Sequence, residues 1–294
     1  MLWPAGTTRW ALGAGLILAT GTAGQNQQPV LRGTLDTVAV YATVTDKSGA
    51  LVSDLKREDF EVTDNGARRD ITVFSPSVHA VTAVLMLDMN GTPKDVPWLQ
   101  VTSDGVLSSM LPEDRLRIAA FGDEIMVTPQ LSGDRSYLSW VLREQLWPAR
   151  ISPLWDALDE AMTSIAREPG RRDILLLTNG REFGYGETSP KRASVPARVR
   201  REGFGVHAVT FKKANVDSAL KTMVHDSGGT LTIVKDLSFA AEAFATIMRR
   251  LHAQYLVGFE PATLDGLPHK IKVSVKRSGL SVEARAQYVA SPRR

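Results

Sequence analysis

A loop of oxygen-bearing side chains follows an apolar run in the stretch Leu85-Met86-Leu87-Asp88-Met89-Asn90-Gly91-Thr92. Asp88 ends the run, and Asn90 and Thr92 follow it at alternate positions. Carboxylate, amide and hydroxyl oxygens are the ligands that hard cations such as Mg²⁺ and Ca²⁺ take in proteins. The stretch is therefore a candidate metal-binding loop at the end of a strand, and a degenerate site or an ordinary strand-end turn are the alternatives.

Two more loops carry candidate ligands of the same kind. Ser152 lies just before a predicted helix, and Asn179 and Glu182 follow the apolar run Asp173–Leu177. Every candidate donor is an oxygen, which suits Mg²⁺, Mn²⁺ or Ca²⁺ and argues against zinc and copper. Asp156, early in that helix, is interpreted as a first-turn charge that stabilises the helix rather than as a ligand.

The elements that must position these loops lie between His79 and His252. Buried apolar runs, such as Val81–Asp88 and Asp173–Leu177, alternate there with segments of helical periodicity. This alternation predicts an α/β fold, a doubly wound and mostly parallel sheet with helices on both faces. In such folds ligands bind at the carboxyl ends of the strands, where the candidate loops lie.

The segments on either side of this region predict β-strands. Before it, strands near Phe60–Thr63 and Asp70–Phe74 flank the turn signal Asp64-Asn65-Gly66. After it, apolar and polar residues alternate in the C-terminal stretches QYLVGFEP, HKIKVSVKRSG and LSVEARAQYVA. Neither segment has enough strands for an independent sandwich. We therefore predict that residues 34–76 and 254–290 form one discontinuous β-sandwich, with residues 79–252 inserted as a separate domain.

The N-terminus has the layout of a secretory signal peptide. Arg9 precedes a short apolar run, Ala11–Ala23, which ends in small residues and is followed by a polar segment. We predict a leader over residues 1–23, a linker over 24–33, and a mature protein that is secreted or resides in the periplasm or cell envelope. The mature chain is expected to have no transmembrane segment, and an uncleaved anchor is the alternative.

Composition excludes several classes of function. The 294 residues include no Cys, so a thiol nucleophile, a disulfide scaffold and a Cys-ligated zinc site are all impossible. The formal charge of +3 is only mildly basic, and no aromatic residues interleave the basic cluster Pro190–Arg201. Nucleic-acid binding is therefore not predicted.

Motifs along nearly the whole mature chain, from about Thr34 to Val289, resemble a known family. VTDKSGALVSDLKREDFEVTDNG, PEDRLRIAAFGD, SPLWDAL, RRDILLLTNGRE and LHAQYLVGFEP are similar to secreted von Willebrand factor A-related proteins abundant in acidobacteria. The resemblance implies a von Willebrand factor type A domain between residues 79 and 252. It also implies a metal-ion-dependent adhesion site, at which an acidic side chain of a partner protein completes the coordination of a divalent ion.

Position by position, the resemblance implies a set of metal ligands: Asp88, Asn90, Thr92, Ser152 and Asn179. Asn179 stands where the family has an Asp, so one carboxylate is missing, and Glu182 is a candidate to replace its charge through a water molecule. Because affinity for a hard dication follows ligand charge, binding of Mg²⁺, Mn²⁺ or Ca²⁺ is expected to be weak or absent. The alternative is a degenerate site whose polar groups hydrogen-bond among themselves.

The predicted function is a non-enzymatic, exported protein-binding module of the adhesion type. A protein partner is expected to dock on the face bearing Asp88, Thr92, Ser152 and Glu182. A structural component of an envelope assembly that binds through the β-sandwich is the first alternative. The second is a hydrolase that uses a metal-bound water. The sequence predicts no oligomeric state.

Overall fold

The computed structural model describes residues 37–76, 80–91, 96–184, 189–211 and 214–291, without the side chains of residues 96–99 and 101. Its strands are β1 (Val38–Thr45), β2 (Phe60–Asp64), β3 (Ala67–Arg69), β4 (Ile71–Ser75), β5 (Thr82–Asp88), β6 (Arg115–Phe121), β7 (Ile125–Val127), β8 (Asp173–Leu177), β9 (Gly205–Phe211), β10 (Leu231–Val234), β11 (Tyr255–Phe259), β12 (Pro268–Val275), β13 (Ser281–Ala284) and β14 (Gln287–Val289). Its α-helices are α1 (Val96–Ser109), α2 (Arg135–Glu144), α3 (Leu154–Ile165), α4 (Lys191–Glu202), α5 (Ser218–Asp226) and α6 (Ala240–His252).

A six-stranded sheet in the order β10-β9-β8-β5-β6-β7 forms the centre of the middle region. Its strands are parallel except for β7, which pairs antiparallel with β6 at one edge. The predicted α/β fold with a doubly wound, mostly parallel sheet is confirmed.

The central strand β5 is apolar throughout because both of its faces are covered. Ala83, Leu85 and Leu87 enter one core with residues of α1, α2 and α6. Val84 and Met86 point the other way, into a core with residues of α3, α4 and α5. Successive side chains of a strand alternate between faces, so a strand with helices on both sides needs apolar residues at every position.

The order of the strands reverses between β5 and β8. From β5 the chain moves outward through β6 and β7, and from β8 it moves outward in the opposite direction through β9 and β10. The loops that follow β5 and β8 therefore diverge from neighbouring strands and leave a crevice at the carboxyl edge of the sheet. Asp88 is the last residue of β5, and Asn179 lies two residues after β8 ends.

Two antiparallel sheets combine strands from both ends of the chain. One has the order β13-β1-β11-β4 and the other β14-β12-β2-β3. Their shared core includes Val40 and Val257 from the first sheet and Val62 and Ile271 from the second. The described chain from Thr37 onward lies within one compact unit. The division into a leader, a linker, a discontinuous sandwich and an inserted domain with the stated boundaries stays a prediction.

The turn at Asp64-Asn65-Gly66 forms a hairpin, but the predicted partner strand was wrong. Asn65 and Gly66 have positive φ angles of 49° and 83°, as hairpin turns with φ > 0 at both central residues require. They join β2 to the short strand β3, whereas β4 pairs with β11 in the other sheet. The chain therefore changes sheets at Asp70, which lies between β3 and β4.

None of the helices in the described part of the chain combines the length and the apolar character that crossing a membrane requires. The predicted leader over residues 1–23 and the linker over residues 24–33 lie outside the described residues, so export stays a prediction.

Candidate functional site

Three loops meet at the crevice beyond β5 and β8, and backbone hydrogen bonds join them. The amide of Ala149, before α3, donates to the carbonyl of Met89 at 2.8 Å. Farther along the same loop, Ser152 and Phe183 exchange backbone hydrogen bonds of 2.8 and 3.2 Å. The loop before α3 is therefore connected to the loop after β5 at one end and to the loop after β8 at the other.

Asp88 lies at the centre of this junction, with only 8% of its surface exposed. Its Oδ2 accepts hydrogen bonds from Ser152 Oγ at 3.0 Å, from Thr178 Oγ1 at 2.8 Å and from the Asn179 amide at 3.4 Å. Its Oδ1 accepts from the Asn90 amide at 3.1 Å. One carboxylate thus binds groups from all three loops.

Thr178 belongs to this cluster, although it is not among the ligands predicted from the sequence. It is buried, its hydroxyl donates to Asp88, and the same oxygen accepts from the Gly180 amide at 2.9 Å. The sequence signal was its position directly after β8, one residue before Asn179. A hydroxyl there serves as donor and acceptor at once, which fixes the turn beyond the strand.

The two asparagine side chains form a second layer of contacts. Asn179 Nδ2 donates to Asn90 Oδ1 at 3.2 Å, and Asn90 Nδ2 donates to the carbonyl of Arg150 at 2.8 Å. Asn179 Oδ1 is buried without a hydrogen-bond partner. A buried acceptor without a partner costs free energy, so this oxygen is a position at which a donor or a cation would be stabilised.

Burial raises the pKa of Asp88 from 3.8 to about 6. Hydrogen bonds from Thr178, Asn90, Ser152 and Asn179 favour the ionised form and oppose this shift, but they are too weak to cancel the loss of solvation. A cation beside the carboxylate would supply the missing compensation.

The remaining predicted residues have different environments. Ser152 is fully buried, so a docking protein cannot reach it directly. Glu182 Oε2 accepts from the Ser189 amide at 2.9 Å, which holds that carboxylate toward the start of α4. Thr92 lies outside the described residues. Asp156 pairs with Lys191 at 3.5 Å, in keeping with its interpretation as a helix charge.

Exposed residues surround the buried cluster. Phe183 is 51% exposed, and Trp147, Arg150, Arg181 and Gly91 are exposed at the same edge. An aromatic ring and guanidinium groups are the kinds of side chain that are enriched in protein interfaces.

The donor set fits a hard divalent ion, but with low charge. Asp88, Asn90, Ser152 and Asn179 supply oxygen atoms only, and the partnerless Asn179 Oδ1 lies among them. Within the described ranges, no group of three or more His, Cys, Asp or Glu residues could hold a metal ion. A single carboxylate therefore carries the ligand charge of the described cluster, which indicates weak affinity.

Solved structures with the same fold are found at low sequence identity. A von Willebrand factor type A structure from Catenulispora acidiphila aligns with a TM-score of 0.53 and 13% identity, covering 80% of this chain and 76% of that one. Proximal thread matrix protein 1 from the mussel byssus, described with a zinc-occupied MIDAS motif, aligns with a TM-score of 0.51 and 13% identity. This second alignment covers 63% of this chain, which spans only about half (48%) of the mussel protein.

No protein-family model matches the sequence, and neither does any curated protein. The structural matches therefore establish the fold, and the narrower resemblance to the acidobacterial family stays a prediction.

Proposed function

Because the chain has the fold of a von Willebrand factor type A domain with additional antiparallel sheets, we propose that it is an exported, non-enzymatic protein-binding module. Its docking face would be the carboxyl edge of the central sheet around Asp88. The observation that carries this proposal is the joining of three loops through one buried carboxylate, which holds the surrounding edge in a fixed shape. A preorganised surface loses little conformational entropy when a partner binds.

The exposed groups at this edge suit contact with a protein better than catalysis. Phe183 offers a large apolar surface, and Arg150 and Arg181 offer donors for acidic side chains. The described groups that contact Asp88 are two hydroxyls and two backbone amides, and none of these is a general base. This composition favours a binding module over a metal-dependent hydrolase.

We propose further that the site takes a divalent ion weakly. Asp88, Asn90, Ser152 and Asn179 would hold it, together with Thr92 as the resemblance implies. The ion would neutralise Asp88 and leave a position for an acidic group of the partner. The zinc-occupied motif of the mussel protein supports a divalent ion in this fold, and oxygen donors favour Mg²⁺ or Mn²⁺ here.

The missing carboxylate gives a sharp test of the metal proposal. Calorimetric titration with Mg²⁺ and Mn²⁺ should show weak binding to the wild type and at least about tenfold tighter binding to Asn179→Asp, because that change restores a charged ligand. Asn65→Asp is the matched control, since Asn65 lies in the β2–β3 turn of the sandwich. Equal heats for the three proteins, or no heat at millimolar ion, would refute the metal site.

The docking face is tested by comparing capture of envelope proteins on immobilised variants. Asp88→Ala and the surface variant Arg181→Glu should both lose a partner that wild type and Asp54→Ala retain, because Asp54 lies on the sandwich and its side chain is 70% exposed. The Arg181 variant leaves the buried cluster intact and so separates loss of the face from loss of folding. Recovery of every partner by all variants would exclude this edge as the docking face.

Export is proposed on the sequence alone, with the mature N-terminus near residue 24. Mass spectrometry of the protein from its native host should find that N-terminus in the extracellular or envelope fraction. A chain that begins at Met1 in those fractions would instead support the uncleaved anchor.

A further inference from the structure

A cavity lies at the edge of the central sheet opposite the Asp88 crevice. Asp173 and Gly205, the first residues of β8 and β9, line it, and β1 closes it from the side of the antiparallel sheets. Its volume is about 440 Å³. Pockets of a few hundred Å³ are typical of small-molecule sites, so the space suits a metabolite-sized ligand.

The walls of this cavity are rich in arginine. Five arginines line it, and three carboxylates oppose them: Arg171, Arg172, Arg200, Arg201 and Arg285 against Glu168, Asp173 and Glu202. A concave surface with an excess of one charge and low-dielectric walls concentrates the opposite charge. The guanidinium group also matches the geometry of carboxylate and phosphate oxygens.

Two of the three carboxylates are already paired with arginines around the cavity. Asp173 is paired with Arg171 at 2.5 Å, and both side chains are almost fully buried. Glu202 accepts from Arg201 at 3.2 Å. Arg200, in contrast, lies 3.9 Å from its nearest carboxylate, that of Asp226, which is at the limit of an ion pair. Among the three cavity arginines that pair with a carboxylate, Arg200 therefore has the longest contact, and its charge is the least compensated of the three.

Two further arginines are held in place by the backbone. Arg172 Nη1 donates to the carbonyl of Ala166 at 2.6 Å, and Arg285 Nη2 donates to that of Ala39 at 2.7 Å. Gly203 allows this placement, since its φ is +72° and a Cβ there would lie 2.9 Å from Arg285 Nη1. These side chains are preorganised, which lowers the entropy lost when they bind an anion.

Gln254 provides an acceptor at the cavity wall, so a ligand that fills the cavity would need a hydrogen-bond donor. It lines the cavity and is buried, and its Nε2 donates to Thr43 Oγ1 at 3.0 Å. That bond fixes the orientation of the amide, and Gln254 Oε1 is left buried without a hydrogen-bond partner. A hydroxyl group of a ligand would satisfy this oxygen.

We propose that this cavity binds a small hydroxylated organic anion, such as a sugar phosphate or a hydroxy acid. The arginines would hold its phosphate or carboxylate group, and Gln254 would accept a hydrogen bond from its hydroxyl. The site is separate from the Asp88 edge and requires no metal ion.

The proposal is tested by isothermal titration calorimetry with ribose 5-phosphate, citrate and inorganic phosphate. Each titration is carried out in EDTA, and sodium chloride at matched ionic strength is the blank. Wild type should bind at least one of the hydroxylated anions, and Arg200→Gln should raise that Kd about tenfold, as expected for loss of one charge-assisted hydrogen bond. Arg277→Gln is the matched control, because Arg277 pairs with Asp54 on the exposed surface of the sandwich. Binding no stronger than the chloride blank, or an equal effect of both variants, would overturn the proposal.

Two more variants separate the role of Gln254 and the independence of the site. Gln254→Leu should weaken binding of the hydroxylated anion and change the affinity for inorganic phosphate no more than Arg277→Gln does. If Gln254→Leu weakens binding of both anions equally, Gln254 does not accept a hydrogen bond from the ligand's hydroxyl group. Asp88→Asn should bind the anion like wild type even if it loses every protein partner. Loss of anion binding in that variant, with an unfolding temperature no lower than that of wild type, would show that the two sites are not separate. Because Arg200 is partly exposed, its substitution should leave the unfolding temperature near that of wild type.

Discussion

Substitution of Asp88 by Asn should stabilise the metal-free protein at neutral pH. Asn has nearly the same shape but carries no charge, so it avoids the burial of an uncompensated carboxylate. The residue is 8% exposed, and burial raises its pKa from 3.8 to about 6. The prediction is unusual because most substitutions of a buried, hydrogen-bonded residue destabilise a protein.

The magnitude follows from the raised pKa. One pKa unit corresponds to about 1.4 kcal/mol. Ionisation of Asp88 therefore lowers the free energy of unfolding by about 3 kcal/mol relative to the protonated side chain. The Asn variant loses one acceptor, worth about 1 kcal/mol, while the hydroxyls of Ser152 and Thr178 can turn to accept from its amide. The net gain is about 2 kcal/mol.

The pH dependence has a defined sign. Between pH 3.8 and about 6 the folded protein binds more protons than the unfolded chain, so stability falls as pH rises. The penalty is absent below 3.8 and complete above about 6. The advantage of Asp88→Asn should therefore be largest at neutral pH and shrink as the solution becomes more acidic.

Urea unfolding followed by tryptophan fluorescence, in EDTA and over this range of pH, measures both effects. If Mg²⁺ binds, its addition should stabilise wild type and leave the variant unchanged, because the ion neutralises a charge that only wild type carries. A variant less stable than wild type at neutral pH in EDTA, or a difference that does not change with pH, would refute the explanation by burial.

Three further predictions concern the stability of the fold. Trp155→Ala should cost about 3–5 kcal/mol in urea unfolding because the ring is fully buried, whereas Trp140→Ala, at 53% exposure, should cost less than about 1 kcal/mol; similar costs would contradict the packing. Asp173→Asn should cost about 3–5 kcal/mol by leaving Arg171 buried without its counter-charge, and a cost within error of zero would contradict that pairing. Burial lowers the pKa of His269, but the adjacent carboxylates of Asp64 and Asp265 outweigh burial and raise that pKa above 6.5. The contribution of protonated His269 to the stability of the fold should therefore be complete below pH 6.5 and be lost as pH rises through the raised pKa. His269→Gln should remove that part of the pH dependence of unfolding, and an unchanged profile would exclude the imidazole as its source.

The architecture of the central sheet could be predicted from the sequence because its signals are local. The uninterrupted apolar run of β5 indicates a strand covered on both faces, and its terminal Asp88 places oxygen atoms at the carboxyl edge. Asn65 and Gly66 likewise indicate a hairpin turn, since each adopts a positive φ there. Such features depend only on neighbouring residues.

Pairing between distant segments could not be predicted in the same way. The strand that follows Asp70 leaves its hairpin to pair with β11, and the choice between two sheets depends on which apolar faces meet in the core. Trp140 is a large aromatic residue within α2, yet it is 53% exposed, because the helix directs Leu138, Val141 and Leu142 toward the sheet.

For the candidate site, the sequence by itself determined the types of ligand: oxygen donors after two strands and before one helix, with one carboxylate fewer than the resemblance leads one to expect. Only the tertiary structure decided their chemistry. In the folded protein Thr178 joins the cluster, Ser152 is buried, and Glu182 is hydrogen-bonded near the start of α4. Asp88 is also buried deeply enough to raise its pKa. Burial and hydrogen-bond geometry arise from contacts between segments far apart in the chain, and residue spacing within one segment carries no information about them.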